Sequence, residues 1–374
     1  MRKCVFRLIP LVAALAAPAA HPAAASAPDS PIETLSQLLS DSGITESGYI
    51  AASYFHSSGT NTYHQFDTSH DTFQLDQAGL TLAYQPKSGF GALVDLIAGE
   101  DAKIVNAAES ASAASSNSFD VLQAYVQYAT GPLTVQAGKF TTLAGAEVIA
   151  PTGDTNFSRS LLFFAEPMTH TGIRATYALG DTVSLIVGIN DGWNYTRIDS
   201  GSKTGEFGIA LSPDGYFSLT AQAYVGKDPV VGANRTFFDA VGTYNATSSL
   251  SFVLSYDWGR QDSSAAIAGG DWNGVAGYIN YRMSPKWRLS LRGESLDDRS
   301  GFILGAGVPQ RVDEGTVTVG YDPVARFELR LEGRYDSSSR RTFVESTGTR
   351  PGGATFTRFS DHQSEAAVQA VYQF

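Results

Sequence analysis

The densest pattern of chemically capable side chains consists of four arginines and three glutamates in two short segments. In Trp287-Arg-Leu-Ser-Leu-Arg-Gly-Glu294, the residues Arg288, Arg292 and Glu294 alternate with Leu289 and Leu291. In Phe327-Glu-Leu-Arg-Leu-Glu-Gly-Arg-Tyr335, the residues Glu328, Arg330, Glu332 and Arg334 alternate with Leu329 and Leu331. Charges two residues apart fall on one side of an extended chain. Such a face acts electrostatically, on ions and dipoles, rather than as a nucleophile or a proton shuttle.

A second charged set lies in the longest connection, residues 141–169. There Glu147, Asp154, Arg159 and Glu166 are interspersed with Val148, Ile149, Leu161, Leu162 and Phe163. Acids of that loop, set against Arg174, Arg288, Arg292, Arg330 and Arg334 across a narrow passage of low dielectric, would create a field that sorts solutes by charge and dipole. In the alternative arrangement the loop stays at the surface, and Glu294, Glu328 and Glu332 pair locally with those arginines.

No catalytic residue emerges. The chain has no H-E-x-x-H, no phosphate-binding Walker loop and no G-x-S-x-G elbow. Its six histidines, His21, His56, His64, His70, His170 and His362, are scattered. Two loop clusters hold candidate cation ligands: His64, Asp67, His70 and Asp71, and further on Asp191, Asn194 and Asp199. Solvated loops account better for both, so neither a metal nor a cofactor is expected.

The positioning elements follow from alternation and spacing. Charged residues make up only 17% of the chain and hydrophobic ones 43%, while Gly (37), Tyr (17) and Phe (21) are abundant. This suits a sheet with one oily and one polar face. Sixteen segments read as strands, mostly 8 to 12 residues long: 49–57, 75–85, 90–99, 119–129, 133–140, 170–178, 183–190, 204–211, 217–226, 235–244, 250–260, 272–282, 287–297, 315–321, 327–336 and 365–374. A tilted strand needs about 9–11 residues to cross a bilayer. Short Pro- and Gly-containing turns alternate with long polar loops, and no long helix is expected after the first 45 residues. The pattern predicts an all-β, antiparallel, up-and-down transmembrane β-barrel.

A lysine or arginine on the lipid face at mid-membrane costs about 2–4 kcal/mol, so the arginines must look into the lumen and the leucines must meet lipid. Lys139 breaks the alternation: it shares its side with Val135 and Ala137, which calls for snorkelling or a bulge at Gly138. Tyr84, Tyr128, Tyr177, Tyr281, Tyr321 and Tyr372, with Trp287, Phe217 and Phe327, gather at the short-turn ends as an interfacial girdle.

Residues 1–27 read as a signal peptide: Arg2, Lys3 and Arg7, then an apolar stretch over 8–20, then Ala25-Ser26-Ala27. Cleavage would remove Cys4, the only cysteine, and lower Lys plus Arg from 26 to 23 against 37 acids, a net charge of −14. That acidity excludes nucleic acid as a partner. Residues 28–45 form a short periplasmic segment in which Ile32, Leu35, Leu38 and Leu39 keep helical spacing, and 46–374 form the barrel.

The final strand, Ala367-Val-Gln-Ala-Val-Tyr-Gln-Phe374, resembles the C-terminal signature of bacterial outer-membrane proteins. That resemblance implies that Tyr372 and Phe374 are read by the barrel-assembly machinery. The chain also resembles the OmpL-like putative beta-barrel porin family in four stretches. They are Gly43-Ile-Thr-Glu-Ser-Gly-Tyr49, Val135-Gln-Ala-Gly-Lys-Phe140, Asn156-Phe-Ser-Arg-Ser160 and Pro167-Met-Thr-His-Thr-Gly-Ile-Arg174.

The expected function is therefore passive diffusion of small hydrophilic solutes or ions through a water-filled lumen, narrowed by the long third loop, in the outer membrane of a Gram-negative bacterium. Outer-membrane lipids are the expected surroundings. Homotrimerisation, common among sixteen-strand porins, is left open. The alternatives are a structural or adhesive barrel plugged by its loops and, further off, a barrel lipid hydrolase.

Overall fold

The computed structural model describes residues 39, 41–109, 117–265, 267–349 and 355–374. The expected signal peptide, 1–27, and most of the expected N-terminal helical stretch lie outside them. The strands are β1 (Thr45–Ser57), β2 (Thr72–Tyr84), β3 (Gly89–Ala98), β4 (Phe119–Thr130), β5 (Leu133–Thr141) and β6 (Thr169–Leu179). Next come β7 (Val183–Asn190), β8 (Thr204–Leu211), β9 (Phe217–Lys227), β10 (Asn234–Asn245), β11 (Leu250–Gln261) and β12 (Gly270–Ser284). The last are β13 (Trp287–Asp298), β14 (Gln310–Val324), β15 (Phe327–Ser338), β16 (Phe343–Thr349), β17 (Thr355–Ser360) and β18 (His362–Gln373).

Sixteen of these close into one antiparallel barrel, in which each strand pairs with its neighbours in sequence and β18 joins β15 to β1. Each expected strand segment overlaps one barrel strand, and Val183–Asn190 and Thr204–Leu211 coincide with the segments read from sequence. Closure leaves no unpaired edge, which is what allows a sheet to stand in lipid.

Burial along β15 alternates as the charge pattern requires. Arg330, Glu332 and Arg334 are buried inside, whereas Leu331 is 60% exposed on the outer face. Several of the aromatics at the short-turn end form cross-strand pairs. Trp287 stacks on Tyr321 with ring centroids 4.4 Å apart, and Phe90 lies 4.9 Å from Tyr128. Phe327 is paired with Tyr372, and Phe217 with Tyr244.

Two elements depart from the sequence expectation. The connection between β3 and β4 contains a helix, α1 (Glu100–Glu109), whose Ala102 and Val105 pack with Phe66, Ile97, Leu122, Ile149, Phe163 and Met168. Its sequence, Glu-Asp-Ala-Lys-Ile-Val-Asn-Ala-Ala-Glu, has strong intrinsic helix propensity but only a thin apolar stripe. The last long loop, between β15 and β18, carries the β16–β17 hairpin, outside the barrel ring. Its base meets loop 1 (58–71, between β1 and β2), where the Thr60 N–H donates to Val344 O at 3.0 Å and the Val344 N–H to Thr62 Oγ1 at 3.0 Å.

Candidate functional site: the lumen and its third loop

The third loop leaves β5 at Thr141, returns at Thr169 to β6, and in between runs inside the barrel. It holds a 3-10 turn at Pro151–Gly153 and a single helical turn, α2 (Leu161–Phe164). Ser160 caps that turn by accepting the Phe163 N–H at 3.0 Å. Arg159 braces the loop from within. Its guanidinium donates to the carbonyls of Val148 (2.8 Å), Ile149 (2.9 Å) and Phe157 (3.0 Å), and lies 3.0 Å from Asp154. It also sits over the rings of Phe66 and Phe163, at 5.4 and 5.8 Å from their centroids. Arg159 and Asp154 are thus partners of each other rather than charges offered to the wall. Burial pushes the Asp154 carboxyl up to about 7, in spite of the adjacent arginine.

The charged face of β13–β15 grips the backbone of this loop. Glu332 accepts the N–H groups of Phe157 (2.6 Å) and Ser158 (2.8 Å) and the Thr318 hydroxyl (2.6 Å). Glu294 accepts the N–H groups of Leu161 (2.8 Å) and Leu162 (3.2 Å). The arginines take the carbonyls. Arg330 donates to Pro151 O (2.9 Å) and Asp154 O (3.0 Å), Arg334 to Arg159 O (2.6 Å), and Arg288 to Thr155 O (2.5 Å). Arg292 reaches Ser158 O and the Glu147 carboxylate, both at 2.7 Å. A wall that alternates acid and base thereby matches a backbone that alternates donor and acceptor, and the charge-assisted bonds are the stronger kind.

Of the loop acids set against wall arginines by the sequence reading, only Glu147 meets one directly. Arg174 is turned to Glu206, 2.8 Å away, and lies over the Phe140 ring. Local ladders coexist with the grip: Glu328 bridges Arg288 (2.5 Å) and Arg330 (2.9 Å). Glu166 is carried to the other side of the lumen, where it meets Asp239 of β10 and Asp257 of β11. Gly145 makes room for it with φ +87°, since a Cβ there would lie 2.0 Å from Glu166 Oε2.

Neither candidate cation cluster from the sequence comes together as a set, although His64 and Asp67 of the first meet Glu365 in a buried group. His64 is buried, with Nδ1 2.5 Å from Asp67 and Nε2 2.9 Å from Asp336, whereas His70 pairs with Asp71 in solvent. The Asn194 side-chain oxygen accepts the Met168 N–H at 2.7 Å, Asp191 pairs with Lys203 and Asp199 with Arg197. Burial and the Arg334 guanidinium oppose charging of His64, but Asp67 and Asp336 outweigh them and raise its pKa. Against its own burial, Asp67 is drawn down to about 2 by the imidazolium.

The β4–β5 register is continuous, so no bulge at Gly138 turns Lys139 inward. Lys139 withdraws from lipid to Glu109 (2.6 Å) and Asp120 (2.9 Å). Gly138 before it has φ +140°, and a Cβ there would lie 2.2 Å from Ala124 O. Asp336, Glu314 and Thr318 also serve the lumen wall without having been singled out; each sits at an inward position of β14 or β15 that strict alternation would have identified.

The opposite wall is unlike this one. The inward residues on the short-turn half of β9–β11, among them Ser218, Thr220, Thr243 and Ser251 with Val241 and Val253, are uncharged and half-buried. Near the same end a cavity of about 230 Å³ is lined in part by Thr155, Asn245, Ser251, Asn280, Arg288 and Ser290.

Solved channels share this architecture at low sequence identity. The outer-membrane channel DcaP of Acinetobacter baumannii superposes with a TM-score of 0.58 at 14% identity, covering 88% of this chain and 97% of that one. OmpT of Vibrio cholerae, folded in vitro, gives 0.60 at 13% identity, with 88% and 97% covered. An anion-selective porin from Comamonas acidovorans gives 0.58 at 11% identity, with 88% and 99% covered. No curated protein matches the chain. The family model described as putative beta-barrel porin-2, OmpL-like, matches residues 43–374. With its closed sixteen-strand barrel and apolar outer face, the chain belongs to that family of outer-membrane porins, which are not enzymes.

Proposed function

We propose that this barrel is a porin through which small hydrophilic solutes or ions diffuse passively, and that its third loop sets the width of the passage. The observation that carries the reading is the asymmetry of the lumen. The loop is bonded to the charged wall of β13–β15, while the short-turn half of the β9–β11 wall, with its hydroxyl groups and no charge, stays partly accessible. The passage therefore runs along the neutral wall. Because the wall arginines and glutamates are spent on the loop backbone and on each other, the passage discriminates weakly by charge. Neutral polar solutes pass as well as ions.

The test is single-channel conductance of the refolded protein in a planar bilayer under a salt gradient. Discrete steps with a reversal potential near zero agree with the reading. Silence from folded, inserted protein favours the second reading, a structural or adhesive barrel plugged by its loops. The near-complete burial of Arg292, Arg330, Glu332 and Arg334, each 3% exposed, supports that second reading.

Two expectations from the sequence belong to the same proposal. Residues 1–27 direct export and are then cleaved, and Tyr372 and Phe374 present the last strand to the assembly machinery. An OmpT barrel of Vibrio cholerae is described in a trimer form, and a homotrimer is the assembly we propose here; cross-linking in native membranes tests it.

A further inference from the structure

Glu166, Asp239 and Asp257 form a knot of acid with nothing to neutralise it. Asp239 and Asp257 stand directly opposite each other across β10 and β11, both fully buried at 0% exposure, and Glu166 of the third loop closes on them from the lumen. Each of the three offers an oxygen, and these oxygens lie within 4.8 Å of one another. None has a cationic partner among the described residues. Like charges placed directly opposite on neighbouring strands destabilise the pair, and burying a bare carboxylate costs far more than burying a paired one.

The surroundings do not relieve this. No well-aligned hydrogen bond reaches any of the four oxygens of Asp239 and Asp257. The Gly145 N–H and the Ser255 hydroxyl are set toward Asp239, and its other polar neighbours are the carboxyls of Asp257 and Glu166. Ser255 is an independent sign. It lies two residues before Asp257 on the inward side of β11, is 1% exposed, and its hydroxyl has no partner although it points into the cluster. A buried hydroxyl is ordinarily satisfied. Its oxygen and the four carboxylate oxygens beside it form one buried group of five oxygens without a hydrogen-bond partner.

We propose that Glu166, Asp239 and Asp257, with Ser255 beside them, bind one divalent cation of the calcium type and so tie the third loop to the β10–β11 wall. The donors are all oxygen, without imidazole or thiolate, which selects a hard cation over zinc or copper. Oxygens about 2.3–2.6 Å from calcium stand at most about 5 Å apart across the ion, so the cluster already has the right span. Magnesium, at about 2.1 Å, would need a tighter and more regular cage. Glu166 lies three residues before β6 and four after Leu162, the last residue gripped by β13–β15. The ion would complete a bridge across the lumen, fixed by charge-assisted bonds on one wall and by a metal on the other. The site does not depend on whether the barrel conducts.

The experiment is calorimetric titration of the chelator-treated, refolded full chain in detergent with calcium chloride, repeated with magnesium chloride. Folding of every sample is checked by heat-modifiable mobility on a gel. One calcium ion per chain is expected, with magnesium weaker by at least tenfold. Glu166→Gln, which leaves the barrel wall intact, should weaken calcium binding at least tenfold, and Asp239→Asn with Asp257→Asn should abolish it. Absence of calcium binding by the folded wild type would overturn the proposal and leave shared protons as what neutralises the cluster. Binding that survives in Glu166→Gln and in the double variant would overturn it equally, by placing the ion elsewhere. If the double variant fails to fold, Glu166→Gln alone decides.

Discussion

Ser158 donates twice to a single oxygen of Glu332, through its N–H at 2.8 Å and its hydroxyl at 2.5 Å, while the other oxygen takes the Phe157 N–H at 2.6 Å. A side chain of the barrel wall thereby organises two consecutive peptides of a loop that begins more than 170 residues earlier in the chain. Replacing Glu332 with Ala leaves those donors buried and unpaired, a local cost of about 1–3 kcal/mol. Hydrogen exchange at the Phe157 and Ser158 amides should rise at least tenfold, with the barrel strands unchanged. Unchanged exchange at these two amides would show that the contact does not hold the loop.

Arg159 should not tolerate lysine. An ammonium keeps the charge beside Asp154 but cannot serve the carbonyls of Val148, Ile149 and Phe157 together, as the planar guanidinium does. Arg159→Lys is expected to loosen 148–157 while leaving the fold intact, read as faster hydrogen exchange in that stretch. A wild-type exchange pattern in the variant would refute the bracing role.

The two faces of β15 should respond in opposite ways. Leu331→Arg puts a charge into lipid and is expected to cost about 2–4 kcal/mol in refolding equilibria if it lies near the bilayer midplane. Leu331→Phe should be close to neutral. A neutral outcome for arginine would mean that the face exposed in the structure does not meet hydrocarbon.

The clamp of loop 1 on the barrel should depend on pH at both ends. His64 is raised by Asp67 and Asp336, so its contribution is fully present below its unfolded value near 6.5 and is lost as pH rises through its higher folded pKa. Asp67 is lowered to about 2, so its contribution is present above about 4 and is lost as pH falls towards 2. Exchange protection of loop 1 amides should therefore be greatest between about pH 4 and 6.5 and decline on the alkaline side. His64→Gln should remove that alkaline decline; a decline that persists in the variant would assign it to another group.

Strands and faces were legible in the sequence because a period of two is imposed by the pleat, and lipid punishes every violation of it. Trp287–Asp298 and Phe327–Ser338 are plain for that reason. What their charges do was not legible. Alternating acid and base reads equally well as a field across water or as a ladder, and the partner is in fact a distant backbone whose N–H and C=O groups leave no mark in the sequence. The α1 helix escaped because its signal is propensity, not periodicity. Asp239 and Asp257 escaped because each is the single inward acid of its strand, and only the register brings them opposite each other.

The central claim is that the third loop sets the passage. The most direct test compares single-channel conductance of the refolded wild type with a variant lacking residues 145–163. The account predicts small, discrete steps for the wild type and a severalfold larger conductance for the variant. A silent wild type that opens only on deletion would make the loop a plug. Equal conductance from both folded proteins would contradict the claim outright.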